Sequence, residues 1–283
     1  MDYFEVRLSL QPYRPFCEIL IAQLAEIGYE SFLEEEHSSC LKAYIPEKEY
    51  REEKIESLLR QHQKKLKCSF SYCSIPKENW NQKWEASFSP VELADFCIVR
   101  APFHQPKSGF QHELIIEPKM SFGTAHHQTT QMMLELMQGL NLRQQSVLDM
   151  GSGTGILAIL AAKLGAETID AIDIEDWAFE NMQENFQRNQ CSFIKAQLGN
   201  VSLIQHKTKA YDVIFANINK NTLLADLKHY HKALKTDGHL LLSGFYFEDV
   251  ADLMATSTLK SYRKQKQLQK DKWAALHLQK GGV

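Results

Sequence analysis

The chain lacks the basic excess of a protein that grips phosphate backbones. Its 32 Lys and Arg stand against 35 Asp and Glu, a net charge of −3. The balance argues against a nucleic-acid partner, although a local basic patch would leave the totals unchanged. There is no run of about 18 apolar residues, so no membrane-spanning helix is expected. The opening Met1-Asp2-Tyr3-Phe4-Glu5 carries acids at once, without a basic stretch ahead of an apolar core, so no signal peptide is expected. None of the six cysteines, at positions 17, 40, 68, 73, 97 and 191, forms a C-x-x-C pair, and zinc-ligand spacing is therefore missing. They read as reduced, partly buried thiols of a cytoplasmic protein without a metal. No internal repeat and no low-complexity tract is present.

What is present falls into two parts, as expected for 283 residues, since a single core stops growing at roughly 250–300. In the first part Phe4, Val6, Leu8 and Leu10 alternate with Glu5, Arg7 and Ser9, the pattern of a half-buried strand. Phe16, Ile19, Leu20, Leu24 and Ile27 follow at helical spacing, with Gly28 as a stop. Residues 30–36 and 39–45 read as two short strands, 47–64 as an amphipathic helix, and Phe70 to Ile75 as a last strand. The order β-α-β-β-α-β predicts a ferredoxin-like domain over residues 1–75. The aromatic RNP signature of an RNA-recognition module is missing from it. A protein-recognition module is the better reading, with a structural or dimerising domain as the alternative.

Residues 76–110 read as a linker. Trp80 and Trp84 lie four apart and would share one face of a helix there. From residue 111 to 283 apolar strands alternate with helices. Strand patterns at 147–149, 169–174, 213–216 and 240–242 are separated by helical ones at 156–164, 177–189 and 223–234, with a further helix at 128–140. That alternation predicts an α/β domain, a parallel sheet with helices on both faces. Ligands bind such sheets at the carboxyl ends of the strands, so the chemistry belongs just after residues 148, 172, 216 and 242.

A glycine loop stands at the first of these places: Asp149-Met150-Gly151-Ser152-Gly153-Thr154-Gly155, after a strand and opening a helix. A dinucleotide fold needs G-x-G-x-x-G facing pyrophosphate. Here the third glycine comes one position early, which favours S-adenosylmethionine, a cofactor with no pyrophosphate, over a nicotinamide dinucleotide. Asp173 ends the next strand, where a carboxylate accepts hydrogen bonds from both ribose hydroxyls of either cofactor. Asn217 follows the third strand, placed to orient a substrate amine or touch the cofactor, or else to terminate the strand as an Asx turn. Gly151, Gly153, Asp173 and Asn217 are thus candidate cofactor contacts, with Asn217 also the candidate catalytic residue.

These motifs, taken together, resemble the bacterial ribosomal protein L-eleven (L11) methyltransferase family over nearly the whole length. The resemblance includes the W-x-x-x-W segment leading to Phe88 and Pro90, and Pro118-Lys119-Met120-Ser121-Phe122-Gly123-Thr124, similar to the family's D-P-G-x-A-F-G-T. It includes His127-Gln128-Thr129-Thr130, similar to H-P-T-T, the V-L-D-M-G-S-G-T-G loop, Ala171-Ile172-Asp173-Ile174-Glu175, and Ala216-Asn217-Ile218. It implies a class I S-adenosylmethionine-dependent methyltransferase domain, Rossmann-like, behind a small substrate-recognition domain and a flexible linker. By position, Thr130, Gly151, Asp173 and Asn217 match the family's cofactor contacts. The implied reaction is methylation of the α-amine and lysine side chains of L11, free or in the large subunit, by a cytoplasmic enzyme expected to be a monomer. The family's F-G-T-G-T-H-P-T-T is here F-G-T-A-H-H-Q-T-T: Ala125 replaces a glycine, His126 a threonine and Gln128 a proline. Alanine is costly at Ala125 if the position needs φ > 0. The His126-His127 pair lacks the further ligands a metal site requires.

Methyl transfer to nitrogen requires a neutral amine. An α-amine with pKa ~7.8 is about one-third neutral near pH 7.5, and a lysine at ~10.4 only about one part in a thousand. Desolvation lowers the second value, so no strong general base is expected. The same fold acting on another protein or a small molecule, and a non-catalytic cofactor-binding or assembly protein, remain alternatives.

Overall fold

The computed structural model describes residues 2–75, 85, 87–119 and 121–282, in two compact units, Met1–Ser87 and Phe88–Val283. The tryptophan pair of the expected linker helix, Trp80 and Trp84, lies outside the described residues.

The first unit runs β1 (Tyr3–Gln11), α1 (Phe16–Glu26), β2 (Ser31–Glu35), β3 (Cys40–Pro46), α2 (Glu52–His62) and β4 (Lys67–Ile75). Its antiparallel sheet has the order β2-β3-β1-β4, the ferredoxin-like arrangement. The alternation read in β1 is realised from Val6 onward, while Glu5, read as outward-facing, is buried and accepts from Tyr44 OH (2.9 Å). Val6, Leu8 and Leu10 are buried with Leu20 and Leu24 of α1 and Ile55 of α2, while Arg7 and Ser9 face out. Burying each such aliphatic side chain contributes roughly 1.5–3 kcal/mol. The second helix is shorter than its charge pattern suggested. Residues 47–50 form a turn after Pro46, in which the Glu49 N–H donates to the Pro46 carbonyl (2.8 Å), and Arg51 is still extended.

The second unit begins earlier than the linker reading placed it. Residues 91–93 (β5, Val91–Leu93) and 97–100 (β6, Cys97–Arg100) pair with each other and with β7 (His112–Ile115) in a three-stranded sheet. Ile98 and Val99 are buried, and the buried Arg100 pairs with Glu113 at 2.6 Å. Pro102, Pro106 and Gly109 therefore punctuate a loop inside this unit rather than a linker between units.

The main sheet has seven strands: β8 (Ser146–Met150), β9 (Thr168–Asp173), β10 (Lys195–Leu198), β11 (Tyr211–Asn217), β12 (Leu234–Tyr246), β13 (Tyr262–Lys270) and β14 (Trp273–Lys280). Their order is β10-β9-β8-β11-β12-β14-β13. The first five are parallel; β14 runs antiparallel to both β12 and β13. Along it lie α3 (Gln128–Met137), α4 (Ile156–Lys163), α5 (Asp176–Arg188), α6 (Lys220–Ala233) and the short α7 (Val250–Met254). Val147, Val213, Phe215 and Leu241 pack into one core with Met132, Ile159 and Met182. Their strand neighbours Leu148, Ile214, Ala216 and Leu242 pack into the other with Leu223, Leu227 and Tyr230. Cover on both faces is why these strands are continuous apolar runs. Strand order reverses between β8 and β11, which opens a crevice at their carboxyl ends.

Candidate active site

The crevice holds a cavity of 490 Å³, within the range of small-molecule sites. Gly151 and Gly153 of the loop after β8, Asp173 at the end of β9 and Asn217 at the end of β11 all line it. Four of the five residues singled out from sequence thus meet at one site. Thr130 does not line it: it is 1% exposed in the first turn of α3, where its Oγ1 accepts from Asn217 Nδ2 at 3.5 Å.

The glycine loop is held from several sides. The Gly151 and Ser152 N–H groups donate to the Ile172 carbonyl at the end of β9 (2.8 and 3.1 Å). Gly153 N–H donates to Asp173 Oδ2 (2.7 Å), and Glu175 N–H to Asp173 Oδ1 (3.1 Å). Each Asp173 oxygen therefore keeps acceptor capacity for a ligand. The glycines are also needed by the fold itself. A Cβ on Gly153 (φ +55°) would lie 2.2 Å from the Phe122 carbonyl oxygen, and one on Gly151 (φ +71°) 2.2 Å from Ile218 Cγ2.

Asp149, at the start of the loop, is 1% exposed. Its Oδ2 accepts from Ala158 N–H in the first turn of α4 (3.2 Å), while its Oδ1 has no partner among the described residues. Burial, with the nearby Asp173 charge adding to it, pushes the Asp149 carboxyl up to about 7.

Ser121 and Phe122 line the cavity and lead into the loop of residues 123–127. Thr154 N–H donates to the Phe122 carbonyl (2.9 Å) and Thr154 Oγ1 to the Gly123 carbonyl (2.7 Å). Ala125 is left-handed, φ +65°, a strain of about 1–2 kcal/mol for a residue with a Cβ. Its methyl is fully buried in the core and its carbonyl accepts from Gln131 Nε2 (2.9 Å), contacts that hold the left-handed turn with an alanine in it. His126 Nε2 donates to the Ser89 carbonyl (3.0 Å) and its ring lies 4.4 Å from Phe88. His127 caps α3, accepting from Thr129 N–H on Nδ1 (3.3 Å), with its ring against Trp273 (4.8 Å) and Phe122 (5.2 Å). The two histidines are thus committed to loop structure.

Sequence reasoning missed part of the lining. Ile174 and Trp177, 64% and 53% exposed, offer apolar surface beside Asp173; their signal was large apolar residues just past a strand-end acid. Asp226 on α6 also lines the cavity and accepts from Tyr230 OH (3.1 Å); burial raises its pKa. Its signal was an acid within the apolar stripe Leu223, Leu227, Tyr230.

A nucleoside cofactor fits this lining: apolar faces, a strand-end carboxylate, a close-approach glycine loop, and a buried hydroxyl, Ser121 Oγ, with no hydrogen-bond partner among the described residues. Known proteins agree. The family of ribosomal protein L11 methyltransferases matches residues 20–281. The chain belongs to this family. A ribosomal protein L11 methyltransferase from Porphyromonas gingivalis is 44% identical over 261 residues, covering 92% of this chain and 89% of that protein. One from Chlorobaculum tepidum is 36% identical over 280 residues, covering 95% and 94%. The crystal structure of the ribosomal protein L11 methylase from Lactobacillus delbrueckii subsp. bulgaricus superposes with a TM-score of 0.63 at 25% identity, covering 69% of this chain and all of that one. As a member of the L11 methyltransferase family, the chain has the class I methyltransferase fold and is an S-adenosylmethionine-dependent protein methyltransferase.

Proposed function

We propose that this chain transfers methyl groups from S-adenosylmethionine to amino groups, lysine side chains and the α-amine, of ribosomal protein L11, in the cytoplasm. The observation that carries the reading is Asn217 Oδ1: a buried acceptor with no partner among the described residues, in a residue that lines the cavity between the glycine loop and α6. An unmet acceptor there matches a substrate that arrives with N–H groups to donate.

The bound cofactor supplies a methyl group already activated on a sulfonium, so the protein's task is chiefly positioning. Asp173, Gly151 and Gly153 are assigned to hold the cofactor. Thr130 Oγ1 accepts from Asn217 Nδ2 and so holds the Asn217 amide, leaving its Oδ1 uncommitted. Asn217 Oδ1 then accepts from the incoming amine and aims the nitrogen lone pair at the methyl carbon. The cofactor would supply the methyl group to that nitrogen, its own S–C bond breaking as the N–C bond forms, and the amine's proton would leave to solvent. The apolar surfaces of Phe122, Ile174, Trp177 and Ile218 lower the dielectric around the site, which favours the neutral amine over the ammonium ion. The first unit is assigned to recognise the protein substrate.

The test is mass spectrometry of purified L11 after incubation with the chain and S-adenosylmethionine, beside an Asp173→Ala control. Gains of one CH₂ each, absent with the control, are expected. No gain, with cofactor binding intact by calorimetry, would move the methyl acceptor to another molecule.

A further inference from the structure

Ser121 is 6% exposed and lines the cavity, yet its Oγ makes no hydrogen bond among the described residues. A buried hydroxyl without a partner costs roughly 1–3 kcal/mol, so a residue of this kind on a cavity wall calls for a ligand atom to satisfy it. The family motif has alanine at this position, so the fold does not require the hydroxyl.

The surrounding contacts identify which end of the cavity it serves. The segment before Ser121 is fastened to α5: Glu117 N–H donates to Asn185 Oδ1 (2.9 Å), Asn181 Nδ2 donates to the Glu117 carbonyl (3.4 Å), and Lys119 pairs with Glu184 (2.6 Å). The first turn of α5 carries Trp177 and Ala178 of the lining, directly after Asp173 and Ile174. On the other side of Ser121, the Phe122 carbonyl covers Gly153, whose N–H holds Asp173. Ser121 therefore belongs to the wall of Asp173 and α5. Asn217, Asn219, Thr222 and Asp226 make up the wall contributed by β11 and α6.

We propose that Ser121 is a ligand-binding residue whose hydroxyl hydrogen-bonds the nucleoside half of the cofactor, a ribose hydroxyl or an adenine nitrogen, rather than its amino-acid half. The inference rests on S-adenosylmethionine being the ligand of this cavity. A hydroxyl is both donor and acceptor, so it suits either nucleoside group and satisfies its own unmet capacity when the ligand is bound.

The experiment is calorimetry of the full chain and of Ser121→Ala with three probes: S-adenosylmethionine, S-adenosylhomocysteine and 5′-methylthioadenosine, the last lacking the amino-acid half. The expected result is a loss of about fivefold in affinity for all three, the worth of one hydrogen bond. The unliganded melting temperature should be unchanged or slightly higher, because no internal bond is lost. Equal affinities in both proteins would overturn the proposal. So would a loss confined to the two ligands that carry the amino-acid half, or a fall in the unliganded melting temperature, which would reveal a structural hydroxyl. Failure of the unsubstituted chain to bind any of the three would instead remove the cofactor reading, and this proposal with it.

Discussion

Gly153→Ala tests how the loop is built. The new Cβ would sit in a left-handed conformation at φ +55°, a strain of about 1–2 kcal/mol. It would also stand 2.2 Å from the Phe122 carbonyl oxygen, with the Phe122 carbonyl carbon at 3.2 Å. That neighbour is backbone, so relief requires moving residues 121–123. The movement forfeits the Thr154 N–H bond to Phe122, about 1 kcal/mol, and overpacking adds about 1–3 kcal/mol. The total is about 4 kcal/mol. Gly151→Ala carries the same left-handed strain at φ +71°, but its obstacle is Ile218 Cγ2, a branch methyl on a stiff β-branched side chain, so relief takes a χ1 turn or a small shift of one residue rather than movement of a hydrogen-bonded backbone segment. Its cost is about 2 kcal/mol on the same principles. The assay is urea denaturation of the full chain, read at the transition that S-adenosylmethionine shifts, since that transition reports the second unit. Gly153→Ala should lose the larger share of stability and also bind cofactor more weakly, because the displaced carbonyl lies on the cavity wall. A Gly151 variant as costly as the Gly153 variant, or a Gly153 variant losing less than about 1 kcal/mol, would refute this account of the loop.

Asn217→Ala should lower turnover by roughly 100-fold while changing cofactor affinity far less, because the residue is assigned to aim the amine; steady-state kinetics beside calorimetry measure both, and equal turnover would defeat the assignment. Asp149 makes a pH prediction. Its carboxyl stands near ~3.9 in the unfolded chain and at about 7 when folded, so the folded state binds the extra proton between those values. Its contribution to unliganded stability is therefore fully present below about pH 4 and is lost as pH rises to about 7, by up to a few kcal/mol. Subtracting an Asp149→Asn pH series from that of the parent chain, by thermal unfolding, should leave this slope; a flat difference would show that the carboxyl is not held protonated.

Much of the site was legible because its signals are local. Glycines at 151 and 153 mark positions of positive φ, and Asp173 and Asn217 end strands whose apolar runs are visible in one dimension. The ferredoxin-like unit was legible for the same reason, through the period-two alternation of β1 and the helical spacing of α1. The hairpin β13–β14 escaped because β13, Tyr-Arg-Lys-Gln-Lys-Gln-Leu-Gln-Lys, is an edge strand with mostly exposed side chains and lacks an apolar alternation. Residues 88–110 read as linker because Pro102, Pro106 and Gly109 dominate the local pattern, while the short β5 and β6 depend on β7 for their pairing. Asp226 was overlooked because a single acid on an apolar helical stripe looks like an interruption until the cavity beside it is known.

By itself the sequence determined the element order of the ferredoxin-like unit, the strand–helix alternation that follows it, the glycine loop with its strand-end acid, and the class of cofactor, since each shows in backbone preferences and side-chain periodicity within a few residues. Only the tertiary structure decided that Thr130 stands behind Asn217, 87 residues away, that the Phe122 carbonyl closes over Gly153, and that Ala125 takes a left-handed φ. It also left Ser121 and Asn217 with buried polar atoms unmet. The physical reason is that such contacts arise where strand order brings distant segments to one sheet edge, and hydrogen-bond satisfaction there is a property of the packed surroundings rather than of neighbours along the chain.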